Sequence, residues 1–281
     1  MDGGRWKRET ITVVTRTYPE CSKKYGCLVC TAGLTSDGQW RRLYPIPWAL
    51  FWGKNARGSF KKWDVISIST RKKSQDRRPE SYEVNPTILE DDVTVVRHMA
   101  AWEERQQVLK PFLDPDLEGL RGGERSLGFV KPKEITDFLL QDRHRITDPD
   151  EALTLEKTEE AQQLLLGDWE SPIIKKSRTP PEALPWIGYH FICRGAGCRG
   201  HHMMCIDWEI QELYRKCGRD GFDKVREKAM ELAGKDLFFV VGTTWRFKTW
   251  MIIGLFYPPR SDTQGLNLGL IGEREGVLDG L

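Results

Sequence analysis

Apolar, β-branched and aromatic positions gather in short runs across the first hundred residues, with turn-forming residues between them. Ile11 to Tyr18, Cys27 to Leu34, Gln39 to Ile46, Trp63 to Thr70 and Val93 to Val96 each have the length and composition of a strand. Ser36-Asp37-Gly38-Gln39 separates two of them, and Asp-Gly supplies the positive φ that a tight hairpin needs. Short strands at this spacing predict a small β-barrel-like module over residues 8–100, of the OB, SH3 or PUA-like kind.

The pattern changes after residue 100. Ala100 to Leu109 is rich in helix formers and stops at Lys110-Pro111, and Thr158 to Leu166 predicts a second short helix that ends at Gly167. Residues 101–171 are therefore expected to form a helical connecting segment. Pro172, Pro180, Pro181 and Pro185 mark 172–185 as an extended linker. Beyond it, Ile206, Ile210, Leu213, Tyr214 and Cys217 share one helical face with Gly218 as C-cap, and Phe222, Val225, Ala229 and Leu232 make a second helix closed by Gly234. Leu237 to Thr243 and Trp250 to Tyr257 are apolar strands around a turn at 244–249. Helix, helix and hairpin in this order match a winged helix, but strands so long and apolar suit a sheet hairpin with an exposed tip better. The fold class is α+β, with a C-terminal α+β module over 186–259 and a glycine-rich flexible tail at 261–281.

Charge adds a local signal. Lys and Arg total 43 against 41 Asp and Glu, which excludes a uniformly basic coat. Residues 41–80 nevertheless hold eleven basic residues against Asp64, Asp76 and Glu80, while 151–170 is acidic. In the basic stretch Trp40, Arg41, Arg42, Tyr44 and Trp48 interleave cations with flat rings. Lys61, Lys62, Arg71, Lys72 and Lys73 continue it, and Arg246 and Lys248 sit on the hairpin tip. Cations pair with phosphates and aromatics stack on bases, so these residues are the candidate surface for DNA or RNA. The bland alternative is a solvated basic face over a Trp-rich core. No apolar run approaches the roughly 18 residues of a membrane span, and Met1 to Thr10 is polar; the chain reads as soluble and cytoplasmic, with no membrane partner.

The cysteines fall in two clusters. Cys193, Cys198, His201 and Cys205 are separated by four, two and three residues around Gly195 and Gly197, a set of soft ligands suited to a closed, tetrahedral, structural zinc. His202 competes with His201 as ligand. Cys27 and Cys30 are read as buried thiols, because residues i and i+3 of a strand point to opposite faces. Asp207-Trp208-Glu209 follows the Cys/His loop and offers a rival chemistry: His201, Asp207 and Glu209 as the catalytic set of a metal-dependent nuclease. Against it, Asp207 is a good helix N-cap and Glu209 belongs in a first turn. There is no phosphate-binding glycine loop, dinucleotide fingerprint or Gly-x-Ser-x-Gly elbow. The sequence thus points to a non-enzymatic nucleic-acid-binding protein, with the nuclease and a modified-nucleotide or small-ligand sensor as alternatives.

Overall fold

The computed structural model describes residues 5–22, 26–51, 58–85, 88–141, 186–195, 197–218, 221–244 and 249–259. The first part holds strands β1 (Lys7–Arg16), β2 (Glu20–Ser22), β3 (Gly26–Thr35), β4 (Trp40–Pro47), β5 (Asp64–Lys72), β6 (Ser81–Val84) and β7 (Thr94–His98). β1 pairs antiparallel with β3 and β5, β3 with β4, and β5 with β6; β4 and β6 pair in parallel. The path β1-β3-β4-β6-β5 therefore returns to β1 and closes a five-stranded barrel, with β2 added beside β3 and β7 beside β5.

The β3–β4 turn forms as its sequence requires. Gly38 has φ +78°, its N–H donates to Thr35 O at 2.9 Å, and the Thr35 N–H donates to Gln39 O at 3.0 Å. Ile11, Val13, Val29, Leu43, Ile46, Ile66, Ile68 and Val84 fill the interior, each large aliphatic contributing about 1.5–3 kcal/mol by leaving water. The closing strand β6 escapes the sequence pattern: it has four residues, and two of them, Tyr82 and Glu83, are only half-buried.

Of the expected helical connector, the described residues 101–141 hold strands as well as helices. Helices α1 (Leu89–Asp92), α2 (Trp102–Leu109) and α3 (Leu117–Arg121) are short, and strands β8 (Leu113–Asp114), β9 (Leu127–Val130) and β10 (Glu134–Gln141) lie after α2. Leu127, Gly128, Phe129 and Val130 are all buried, the run of an interior strand rather than of the loop that Lys131-Pro132-Lys133 suggests. The acidic stretch 151–170, the helix at 158–166, the linker 172–185 and the tail 261–281 lie outside the described residues.

Strands β11 (Trp186–Ile192) and β12 (His201–Met204) join β10 in a three-stranded sheet, and β13 (Phe238–Thr243) and β14 (Trp250–Phe256) join β9 and β8 in a four-stranded one, ordered β14-β13-β9-β8. β13 is thus an interior strand, as its apolar composition requires, and the hairpin is part of this sheet rather than a wing. Helix α4 (Trp208–Cys217) begins where the Asp207 side chain accepts from Glu209 N and Ile210 N, and ends at Gly218, φ +71°. Helix α5 (Phe222–Ala233) buries Val225, Ala229 and Leu232.

One core joins the barrel to the four-stranded sheet: Val14, Leu34, Trp40, Trp63 and Leu109 pack with Phe129, Val240, Ile253 and Phe256. Close approach of β1 and β14 depends on Gly254, where a Cβ would meet Thr15 Oγ1 at 2.3 Å. The Thr15 hydroxyl donates to Ile253 O.

Candidate functional site

The β11–β12 hairpin builds the densest group of metal-ligating atoms. Register pairs Phe191 with His201; Cys193 follows the end of β11, and Gly197 (φ +87°) and Gly200 (φ +100°) let the loop return. The ligand atoms of Cys193, Cys198 and His201 lie within 4.8 Å of one another, a cluster able to hold a metal ion. The Cys193 N–H donates to Cys198 Sγ at 3.2 Å, and Cys198 Sγ stands 3.3 Å from His201 Nε2. Burial raises the Cys193 thiol above its ordinary range. Burial, then the Arg121 charge, lowers His201, favouring the neutral imidazole that binds a metal. Strand alternation separates the two histidines: His201 faces inward and His202 is exposed.

Cys205, expected as the fourth ligand, is not in this cluster. It shares the inward face with His201, but four residues of extended chain carry it about 13 Å along the strand. There it bridges to Ile252, its N–H donates to Ile187 O at 2.8 Å, and burial pushes its thiol well up. The other cysteine expectation also shifts: Cys27, opposite Cys21 across the β2–β3 ladder, is disulfide-bonded, and Cys30 is a free thiol.

Of the ten described candidate nucleic-acid residues, Trp40, Arg41, Arg42 and Trp48 are buried, five are half-buried and Lys61 is exposed. Arg41 and Arg42, expected outside the core, are buried. Arg41 Nη2 donates to Glu9 Oε1 at 2.9 Å, and its guanidinium lies 4.2 Å over the Tyr82 ring. Arg42 donates to Thr243 O and Ser126 O, both at 2.7 Å. Burial, then repulsion from Arg78, brings Arg42 down to about 10. Arg78 clasps Asp76 through Nη2 at 2.6 Å and reaches the same Thr243 carbonyl at 2.6 Å, while Glu80 Oε2 accepts from Ser126 Oγ at 2.7 Å. These bonds tie the barrel to the four-stranded sheet, and Asp76 and Glu80, which the composition shows only as a partial offset to the basic stretch, are among their members. Trp40 and Trp48 are core residues. Arg71 pairs with Glu83 at 2.6 Å, and Lys72 donates to Pro79 O at 2.7 Å. Lys61 is exposed. Tyr44 is half-buried with Lys73 Nζ 5.3 Å over its ring, and burial lowers that ammonium. Arg246 and Lys248 lie outside the described residues.

Asp207 and Glu209 meet a cation rather than His201. Lys62 Nζ is 3.2 Å from Glu209 Oε2 and 3.8 Å from Asp207 Oδ2, and donates to Leu255 O at 2.5 Å. Nearby, Arg16 lies 4.7 Å from the Phe51 ring and 4.4 Å from the Trp208 ring, with burial bringing it to about 10. Asp207 accepts three backbone N–H bonds, from Glu209, Ile210 and Leu255. Among the described residues neither carboxylate belongs to a group close enough to share a metal.

Comparison with family models divides the chain close to where the barrel ends. Residues 7–111 match a model described as a domain of unknown function (DUF8758), and residues 118–270 match a second, also described as a domain of unknown function (DUF8757). The second match spans more than half of the chain. The chain belongs to the DUF8757 family. A search of curated proteins finds no match.

The DUF8758 segment contains the closed barrel and α2, and the DUF8757 segment contains β9–β14 with the Cys/His cluster. Arg42 and Lys62, both from the DUF8758 segment, spend their donors on backbone carbonyls of the DUF8757 segment. Alternating Trp and Arg in the sequence thus reflects a buried seam as much as an outer face. Among the described residues no helix is long and apolar enough to cross a membrane.

Proposed function

We propose that the protein binds nucleic acid without catalysing a reaction on it, and that Cys193, Cys198 and His201 hold a structural zinc. The observation that carries the first reading is the shared grip of Arg42 and Arg78 on Thr243 O. Thr243 leads into the turn that carries Trp245, Arg246, Phe247 and Lys248. Two buried guanidiniums thus fasten the end of β13 to the barrel, whose strand β4 carries Tyr44 with Lys73 over its ring. Tyr44 with its ring and Lys73 with its ammonium pair a stacking surface with a cation for phosphate, the combination a single-stranded chain uses. Two thiolates and one imidazole suit zinc above harder cations. Asp207 is retained as a helix cap, its oxygens being taken by backbone donors, so no hydrolytic step is assigned to it.

Anisotropy titrations of single-stranded and duplex DNA and RNA across a salt series test the reading. Binding should weaken with salt, and Lys73→Glu combined with Arg246→Ala and Lys248→Ala should flatten the slope by roughly two to three contacts. Absence of oligonucleotide binding would overturn it, and tight binding of a single mononucleotide alone would replace it with the sensor reading. Metal analysis of the purified chain should give about one zinc per chain.

A further inference from the structure

We propose that Asp116 supplies the fourth ligand of the Cys193–Cys198–His201 centre, so that the bound ion fastens the junction between the two family-matched segments to the β11–β12 hairpin. The inference rests on the metal reading above. Three protein atoms leave one corner of a tetrahedral ion unfilled, and Cys205 is directed to the Ile252 bridge instead. Asp116 reaches the loop from a different part of the chain. Its carboxylate is seated against Gly195, between the first two ligands in sequence: a Cβ at residue 195 would stand 2.3 Å from Asp116 Oδ2 and 3.1 Å from its Cγ. Any side chain there would evict the carboxylate, so the glycine makes a notch that this one acidic group fills.

The two oxygens of Asp116 are used unequally. Oδ1 accepts from Gly119 N at 2.8 Å and caps α3. Oδ2 accepts no hydrogen bond among the described residues. A monodentate carboxylate with one oxygen held by a cap is a well-oriented ligand, since the cap restricts rotation of the group. Asp116 is not one of the three tightly grouped residues, but its charge acts on both Cys193 and His201, and closing to the Zn–O distance of about 2.0–2.2 Å takes a movement of this side chain and the glycine-rich loop. Asp116 also lies in the short stretch 112–117 that neither family model matches. A metal held by Cys193, Cys198, His201 and Asp116 therefore bridges that junction to the DUF8757 segment, whereas a set completed by Cys205 would close within the hairpin alone.

The test compares zinc affinity by chelator competition, and the visible spectrum of the cobalt-substituted full chain, for Asp116→Asn and Cys205→Ser. Asn caps a helix as well as Asp does, so Asp116→Asn removes the anionic ligand and keeps α3. Zinc affinity should fall about 10- to 100-fold, the cobalt bands should shift, and trypsin should cut after Arg121 or Arg125 faster than in the zinc-loaded wild type. Cys205→Ser should bind zinc as the wild type does. Wild-type affinity and spectrum in Asp116→Asn, or a loss in Cys205→Ser equal to that in Cys198→Ser, would overturn the assignment and leave the metal reading standing. A wild-type chain that binds neither zinc nor cobalt would overturn both.

Discussion

The seam between the barrel and the four-stranded sheet and the loop between β11 and β12 both hold distant parts of the chain together, with different materials. At the seam, Trp63, Leu127, Phe129 and Phe256 pack in the core that joins barrel and sheet. There Arg42 ends on the Ser126 and Thr243 carbonyls, Arg78 on Thr243 and Glu80 on Ser126, and of these three charged groups only Arg42 Nε is left without a partner among the described residues. At the loop, glycines alternate with Cys193, Cys198 and His201, and the loop itself brings little apolar surface. Cohesion at the seam comes from burial, which solution conditions change little. At the loop, three soft ligand side chains stand where such packing would be. Charged side chains thus act as structural rivets at the seam, while the loop gathers three side chains able to hold a metal ion.

The largest effect should come from breaking the seam. Arg42→Ala leaves the buried Ser126 carbonyl without this donor and the Thr243 carbonyl with Arg78 alone, and should cost about 3–5 kcal/mol; urea denaturation measures it. A loss below about 1 kcal/mol would show that the guanidinium is dispensable there. Stripping metal from the loop comes next. With free zinc a hundred to a thousand times its Kd, chelation should remove about 3–4 kcal/mol, seen as a lower Tm and as early proteolysis in the β11–β12 hairpin. An Arg42 variant should lose stability with or without chelator, and that independence is the sharpest form of the contrast. Lys62→Met comes third: it keeps the apolar stem and leaves Glu209 with Tyr257, so about 1–3 kcal/mol is expected.

The smallest effect is on pH dependence. Burial holds the His201 imidazole below its ordinary 6.5 in the folded chain, so on acidification the unfolded chain takes up that proton first. The stability linked to it is complete above pH 6.5 and is lost as pH falls through the lowered value. Metal-free protein should therefore show a Tm that falls as pH drops below about 6.5, and His201→Gln should flatten that slope. An unchanged slope would place the titration elsewhere.

Elements set by local chemistry were legible from the sequence. Asp37-Gly38 made its turn, Asp207 its cap, Gly218 its positive φ, and the apolar runs at 238–243 and 250–256 their strands. Elements that exist through a distant partner were not. β6 is a strand because β4 and β5 flank it, and β9 because β13 does. The same limit governs the site. Cys193, Cys198 and His201 converge within one hairpin, where spacing carries information, whereas Cys205 follows the rise of its strand away from them. Arg41 and Arg42 share the composition of a solvated basic face, and only the partners Glu9, Ser126 and Thr243, far away in sequence, reveal that they are interior.

Thr15 and Ile253 are 238 positions apart and share a hydrogen bond, and Arg42 and Thr243 are 201 apart. A ribosome that has just released the barrel has yet to make the carbonyl that will receive Arg42. For that interval the nascent barrel displays guanidiniums that the finished molecule hides, and it is more cationic in its own right than the mature protein. Contacts of such long range also form slowly, because loop closure precedes their reward. Until the last strands arrive, Arg42 and Arg78 lack the Thr243 carbonyl that holds both of them in the finished molecule.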